Sequence, residues 1–182
     1  MATISKKMCM VGDFGVGKTS LIRRYVEGMF SDQYLSTVGV KISRKTVKLD
    51  PLIASAGERE TSPNPVALQL ILWDLEGHTR FKSIAPSYLQ GAKGALIVAD
   101  VTRPETIERL GEHIHLFSSV NPEGWAIVAL NKTDLFPPEK TEALLKTVEA
   151  QGFDRVLSTH LTSAKTGKNV DSIFEELSRK II

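Results

Sequence analysis

Gly12-Asp13-Phe14-Gly15-Val16-Gly17-Lys18-Thr19 reads G-x-x-x-x-G-K-[ST], and its surroundings matter as much as its letters. An apolar run, residues 8–11, comes directly before it, and Leu21, Ile22, Tyr25 and Val26 recur at helical spacing directly after. A glycine-rich turn between a buried strand and a helix N-terminus is a phosphate cradle. Glycines let backbone N–H groups converge on an anion, and the helix end adds partial positive charge. The candidate phosphate contacts are therefore Asp13, Phe14, Gly15, Val16, Gly17, Lys18, Thr19 and Ser20. Lys18 would reach the β- and γ-phosphates of a nucleotide, and the Thr19 hydroxyl would bind Mg²⁺.

Outward from the loop, four more apolar runs follow: residues 67–73, 94–99, 125–130 and 156–157. Short, nearly continuous runs suit strands buried on both faces of a largely parallel sheet. Residues 40–49 differ, because Lys41, Arg44, Lys45 and Lys48 punctuate them, as expected of an edge strand. Helical patterns separate the runs. Pro104 can open one that carries Ile107, Leu110, Ile114 and Phe117, and Pro137 and Pro138 open another with Leu144, Leu145 and Val148. The last stripe, Val170, Ile173, Phe174, Leu177 and Ile181, has acids early and Arg179 and Lys180 late, the order the helix dipole favours. The alternation predicts an α/β sandwich with helices on both faces of the sheet. Residues 51–65, with three prolines, fit neither pattern. They read as a long loop, either a tolerated insertion or a partner-binding segment.

Bulk properties narrow the class. A chain of 182 residues, 42% apolar and 24% charged, suits one globular domain spanning 1–182. A net charge of +2, with no run of like charges, gives no reason to expect nucleic acid or an anionic membrane as partner. The lone Cys9 cannot form an internal disulfide, so a reducing, cytoplasmic setting is expected. No stretch approaches a membrane span, residues 1–7 carry no signal or myristoylation pattern, and residues 178–182 hold no cysteine. No evident membrane anchor is expected.

Asn131-Lys132-Thr133-Asp134 then specifies the base. It sits just beyond the 125–130 run, where ligands of open α/β sheets gather. A carboxylate at Asp134 can accept two N–H bonds from the edge of guanine, and adenine offers no such pair. Four residues alone are a weak signal. Downstream of a phosphate loop they are a strong one.

With both motifs in this order, the chain resembles the Ras-superfamily small GTPases, Rab-like and Ras-like members in particular, from the first strand to the last helix apart from residues 51–65. The resemblance implies a three-layer P-loop fold with a six-stranded, mostly parallel sheet and about five helices, and two mobile segments that sense the γ-phosphate. By the family pattern Phe30 would lie against guanine, Tyr34 over the phosphates, and Thr37 would coordinate Mg²⁺. In Asp74-Leu75-Glu76-Gly77, Asp74 would hold the Mg²⁺ shell through water, and the Gly77 N–H would meet the γ-phosphate. Ser163-Ala164-Lys165 resembles the third guanine contact, with the Ala164 N–H facing the base oxygen and Lys132 and Lys165 flanking the ring.

Departures from the pattern matter too. His78 stands where most members carry the glutamine that orients the attacking water. An imidazole can hold water as well, but with different geometry. Phe14 replaces a glycine or serine beside the γ-phosphate and should crowd an arginine finger offered in trans. Glu76 replaces a small residue next to Gly77. The catalytic candidates are thus His78, Lys18, Gly77 and Thr37. The expected activity is slow GTP hydrolysis by a GDP/GTP switch, with protein effectors and exchange or GTPase-activating factors as partners. The alternatives are a GTP-binding interaction module with negligible hydrolysis and, disfavoured by Asn131 and Asp134, an ATP-dependent kinase or ATPase.

Overall fold

The computed structural model describes residues 3–33, 37, 39–49, 66–75 and 85–182. In chain order they form β1 (Thr3–Val11), α1 (Lys18–Glu27), β2 (Val40–Leu49), β3 (Val66–Leu75), α2 (Ala85–Leu89), β4 (Gly94–Asp100) and α3 (Pro104–Glu108). Then come α4 (Leu110–Val120), β5 (Trp125–Asn131), a 3-10 turn (Thr133–Leu135), α5 (Pro138–Glu149), β6 (Val156–Leu161) and α6 (Val170–Ile181). The sheet order is β2-β3-β1-β4-β5-β6, and every neighbouring pair is parallel except β2 with β3. This is the α/β arrangement the strand–helix alternation predicts, with the six-stranded, mostly parallel sheet that the family resemblance implies.

Successive side chains of a strand face opposite ways, so each central strand feeds two cores. Met8 and Met10, Leu96 and Val98, and Ile127 and Ala129 enter one, under α1 and α6. Cys9 and Val11, Ala95, Ile97 and Ala99, and Val128 and Leu130 enter the other, under α2, α3, α4 and α5. Continuous apolar runs follow directly, because neither face of these strands meets water.

The edges depart from the simple reading. β1 begins at Thr3, well before residue 8, because residues 3–10 pair with β3 whereas only 8–11 also pair with β4. Its first half lies open on one side and tolerates Ser5, Lys6 and Lys7. β6 runs through Leu161 rather than stopping at 157. As the outer strand it needs one apolar flank only, so Ser158, Thr159 and His160 hide it from an apolar-run search. β2 is the lysine-rich edge strand expected, and Lys45 turns its ammonium over the Tyr25 ring, 3.8 Å from the centroid.

The helix expected from Pro104 through Phe117 is two helices meeting at Arg109. The apolar face survives the break: Ile107, Leu110, Ile114 and Phe117 are all buried in one core. Thr106 Oγ1 accepts the Asp100 N–H at 2.9 Å and donates to the Arg103 carbonyl at 2.8 Å, fastening the first turn to the end of β4. The short α2 carried no periodic signal and is anchored by the fully buried Leu89. Residues 51–65 lie outside the described residues.

Candidate functional site

Parallel strands end together. β1, β3, β4 and β5 bring Val11, Asp74, Asp100 and Asn131 to one border of the sheet, with Asp100 and Asn131 paired side by side. The phosphate loop leaves from there. Gly12, at φ +148°, approaches the Val98 carbonyl so closely that a Cβ would collide with it. Gly17, at φ +101°, faces the Asn131 amide in the same way and opens α1. Both positions require glycine for backbone angle and for space. The Lys18 ammonium bends back over the loop to the carbonyls of Gly12 at 2.8 Å and Asp13 at 2.7 Å.

A cavity of about 330 Å³ opens over this loop. Its wall holds Phe14, Gly15, Gly17, Lys18, Thr19 and Ser20 from the loop, Phe30 and Thr37 from the following segment, and Asn131, Lys132, Asp134, Ala164 and Lys165 from the far loops. Thirteen residues singled out in the sequence thus share one hollow. Four others stand behind its wall. Val16 is wholly buried in the core, Asp13 points its carboxylate at α4, Ser163 is buried beside Asp134, and Asp74 lies behind Thr19. Tyr34, Glu76, Gly77 and His78 lie outside the described residues.

At the end of the cavity lined by Asn131, Lys132 and Asp134, Asn131 is 1% exposed and joins three loops. Its Nδ2 donates to the Val16 carbonyl at 3.0 Å, and its Oδ1 accepts from Thr162 Oγ1 at 3.2 Å and from the Ala164 N–H at 3.3 Å. The Ala164 N–H expected to face the base oxygen is thus directed at Asn131. Lys132 takes a left-handed φ of +67°, which reverses the chain between Asn131 and Asp134. Its ammonium spans the Gly15 carbonyl and the Asp100 carboxylate, each at 2.7 Å. Asp134 is exposed, yet the Ser163 hydroxyl fixes its Oδ1 at 2.6 Å. One carboxylate oxygen held from behind leaves the group aimed and still able to accept.

Around Thr19, three oxygens converge. Thr19 Oγ1 lies 2.5 Å from Asp74 Oδ2 and 2.6 Å from Thr37 Oγ1, and Thr37 Oγ1 lies 3.3 Å from the same carboxylate oxygen. Asp74 Oδ1 is buried with no hydrogen-bond partner among the described residues. Burial raises the Asp74 pKa, partly countered by the Thr19 hydrogen bond and the Lys18 charge. An orphaned carboxylate oxygen beside two hydroxyls is the hard-oxygen donor set that suits Mg²⁺.

Several contributors carry no motif. Arg24 on α1 donates through Nε to the Ala164 carbonyl at 2.8 Å and through Nη2 to the Lys165 carbonyl, clamping the loop of residues 163–165 to the first helix. Asp100, 1% exposed, receives Lys132. Arg103 Nη1 donates to the Phe14 carbonyl at 2.7 Å. Arg109 and His113 hold Asp13. Arg24 and Arg103 reach backbone carbonyls, which every residue has, so spacing could not single them out. The one available signal was Asp100, an acid ending a fully apolar strand.

A model of the Ras family matches residues 7–182. The GTP-binding protein ypt5 of Schizosaccharomyces pombe is 32% identical over 182 residues, covering 100% of this chain and 80% of that protein. Ras-related protein Rab5 of Nicotiana tabacum is 32% identical, covering 98% and 82%. Human Ras-related protein Rab-22A is 31% identical, covering 100% and 86%. Membership favours a hydrolysing switch with regulator and effector partners over an inert nucleotide-binding module. Among the described residues no helix is long and apolar enough to cross a membrane. The chain belongs to the Ras family: it is a small GTPase, a molecular switch that binds GTP and hydrolyses it to GDP and phosphate.

Proposed function

We propose that residues 1–182 act as one domain whose cavity takes the guanine nucleotide, its phosphates on the loop from Asp13 to Ser20 and its base between residues 131–134 and 163–165. The observation that carries this reading is the Asp134 carboxylate, fixed by Ser163 at 2.6 Å in the same cavity that Lys18 lines. Asp134 accepts the two edge N–H groups of guanine, Lys132 and Lys165 flank the ring, and Phe30 packs beside it. Lys18 leaves its loop carbonyls for phosphate oxygens, which are the better acceptors for an ammonium. Asp134→Asn replaces one acceptor oxygen with a donor. Guanine affinity should fall on the order of 100-fold while xanthine affinity rises, since hydrogen bonds to charged groups contribute about 1.5–3 kcal/mol each. Isothermal titration with GDP and XDP checks this, and an unaltered preference for GDP would sink the assignment.

Thr19, Thr37 and Asp74 would hold Mg²⁺ in this reading. When bound, the ion offsets phosphate charge that the loop amides and Lys18 meet only in part. Chelation with EDTA should lower the melting temperature of the GDP complex by several degrees, whereas Thr19→Ala should make the melting temperature nearly indifferent to EDTA. An equal response in both proteins would remove Thr19 from the ion's shell.

Hydrolysis is slow without help. His78 positions the water in place of an amide side chain, Glu76 adds a negative charge next to Gly77, and Phe14 narrows the approach of an arginine finger. Switching follows from Thr37 and the Gly77 region, which engage the triphosphate and release after cleavage, changing the surface that effectors meet. The lone, fully buried Cys9 suits a reducing, cytoplasmic setting.

A further inference from the structure

Asp13 brings a negative charge into the phosphate cradle. It places a carboxylate at the second position of a loop whose task, in the reading above, is to attract polyanions. The structure shows where that charge goes. The Asp13 carbonyl accepts Lys18 on the inner side of the loop, at 2.7 Å, while its carboxylate turns outward and is 6% exposed. Arg109 Nη1 lies 3.0 Å from Oδ1 and 3.1 Å from Oδ2, and His113 Nε2 lies 2.9 Å from Oδ1. Arg109 stands at the junction of α3 and α4, where the helix breaks, and His113 one turn further along α4. Arg103, just ahead of α3, takes the next loop carbonyl, that of Phe14.

We propose that Arg109 and His113 are positioning residues of the nucleotide site: they draw the Asp13 carboxylate away from the cavity and offset its charge, so that the loop presents its amides and Lys18 to the phosphates. The two partners differ in kind. Burial lowers the His113 pKa against the pull of Asp13, so His113 serves as a neutral N–H donor and Arg109 supplies the formal counter-charge of this pair. Removing Arg109 leaves a buried carboxylate short of its cation, beside the site for four phosphate charges. Such a loss costs more than the pair itself contributes. The break between α3 and α4 then has a role, since it sets the Arg109 side chain at the back of the loop.

This rests on the phosphate-loop reading, and Lys18→Ala tests that reading separately, since unaltered nucleotide affinity in that variant would overturn it alone. The decisive set is Arg109→Met, Asp13→Asn and the double variant, each in the full chain. Dissociation constants for GDP and GTP are measured by displacement of a fluorescent guanine nucleotide. Arg109→Met should weaken GTP roughly 10- to 100-fold and GDP by less, because the triphosphate carries more charge. The double variant should bind GTP at least about 10-fold more tightly than Arg109→Met, because the uncompensated charge is gone. If Arg109→Met does not fold, recovery of a folded, GTP-binding double variant supports the same conclusion. A double variant no better than Arg109→Met in folding or in affinity overturns it, as does Arg109→Met with unaltered affinities. Either result would make the contacts a mechanical brace or a bystander.

Discussion

At position 14 a phenylalanine borders the cavity next to Gly15 and Lys18, and Arg103 holds its carbonyl. Backbone and side chain at this residue therefore serve different ends. The carbonyl anchors the loop from behind, so a smaller residue keeps that bond, while in the proposed reading the ring narrows the approach to the γ-phosphate. Phe14→Ser should therefore leave loop geometry intact and raise the rate obtained with an activator that offers an arginine, a contribution of about 10³–10⁵ where the approach is open. His78→Gln acts on the unaided reaction and should speed single-turnover hydrolysis roughly 10-fold or more. Should neither variant turn over GTP faster, these two substitutions do not limit the rate. Asn131 makes a related point: the sequence offers it as a base contact, and the structure also uses it to join three loops through both ends of its amide.

Among the elements, α1 and α6 deserve to be read together. Tyr25 and Phe174 stack with ring centroids 4.0 Å apart and planes 3° from parallel. The loop that Arg24 clamps lies just before α6 in the chain, so this packing supports that side of the cavity as well as the core. Phe174→Ala removes a fully buried ring and should cost about 3–5 kcal/mol of unfolding free energy. Urea titration measures it, and a loss below about 1 kcal/mol would mean that the stripe on α6 adds little. The outer strand β6 is tied differently: Ser158 Oγ and His160 Nε2 reach the two oxygens of Glu176 at 2.7 and 2.8 Å. Polar ties of this kind explain why β6 could be read only in its first two residues.

For the molecule as a whole, the two cores carry opposite faces of one sheet, and each holds a titratable group that burial keeps protonated. Burial pushes the Cys9 thiol up to about 12, opposed by Lys7. Burial, then Asp171 and Glu175, push the Tyr25 hydroxyl up to about 12. Both groups ionise earlier in the unfolded chain, so above about pH 9 the folded state binds more protons and its stability falls as pH rises. Urea midpoints should decline between pH 9 and 10.5, and Cys9→Ala should decline less steeply. A parallel decline in the variant would assign the loss elsewhere. The strand–helix alternation and the glycine-rich turn that ends in Lys18 and Thr19 were legible in the chain because each depends on neighbours within a few residues, where periodicity, glycine and helix-end charge act locally. The counter-ion of Asp13, the clamp from Arg24 and the partner of Lys132 join residues dozens of positions apart. No local rule chooses among so many arginines and acids; that choice was made when parallel strands brought their ends to one border and buried the charges there.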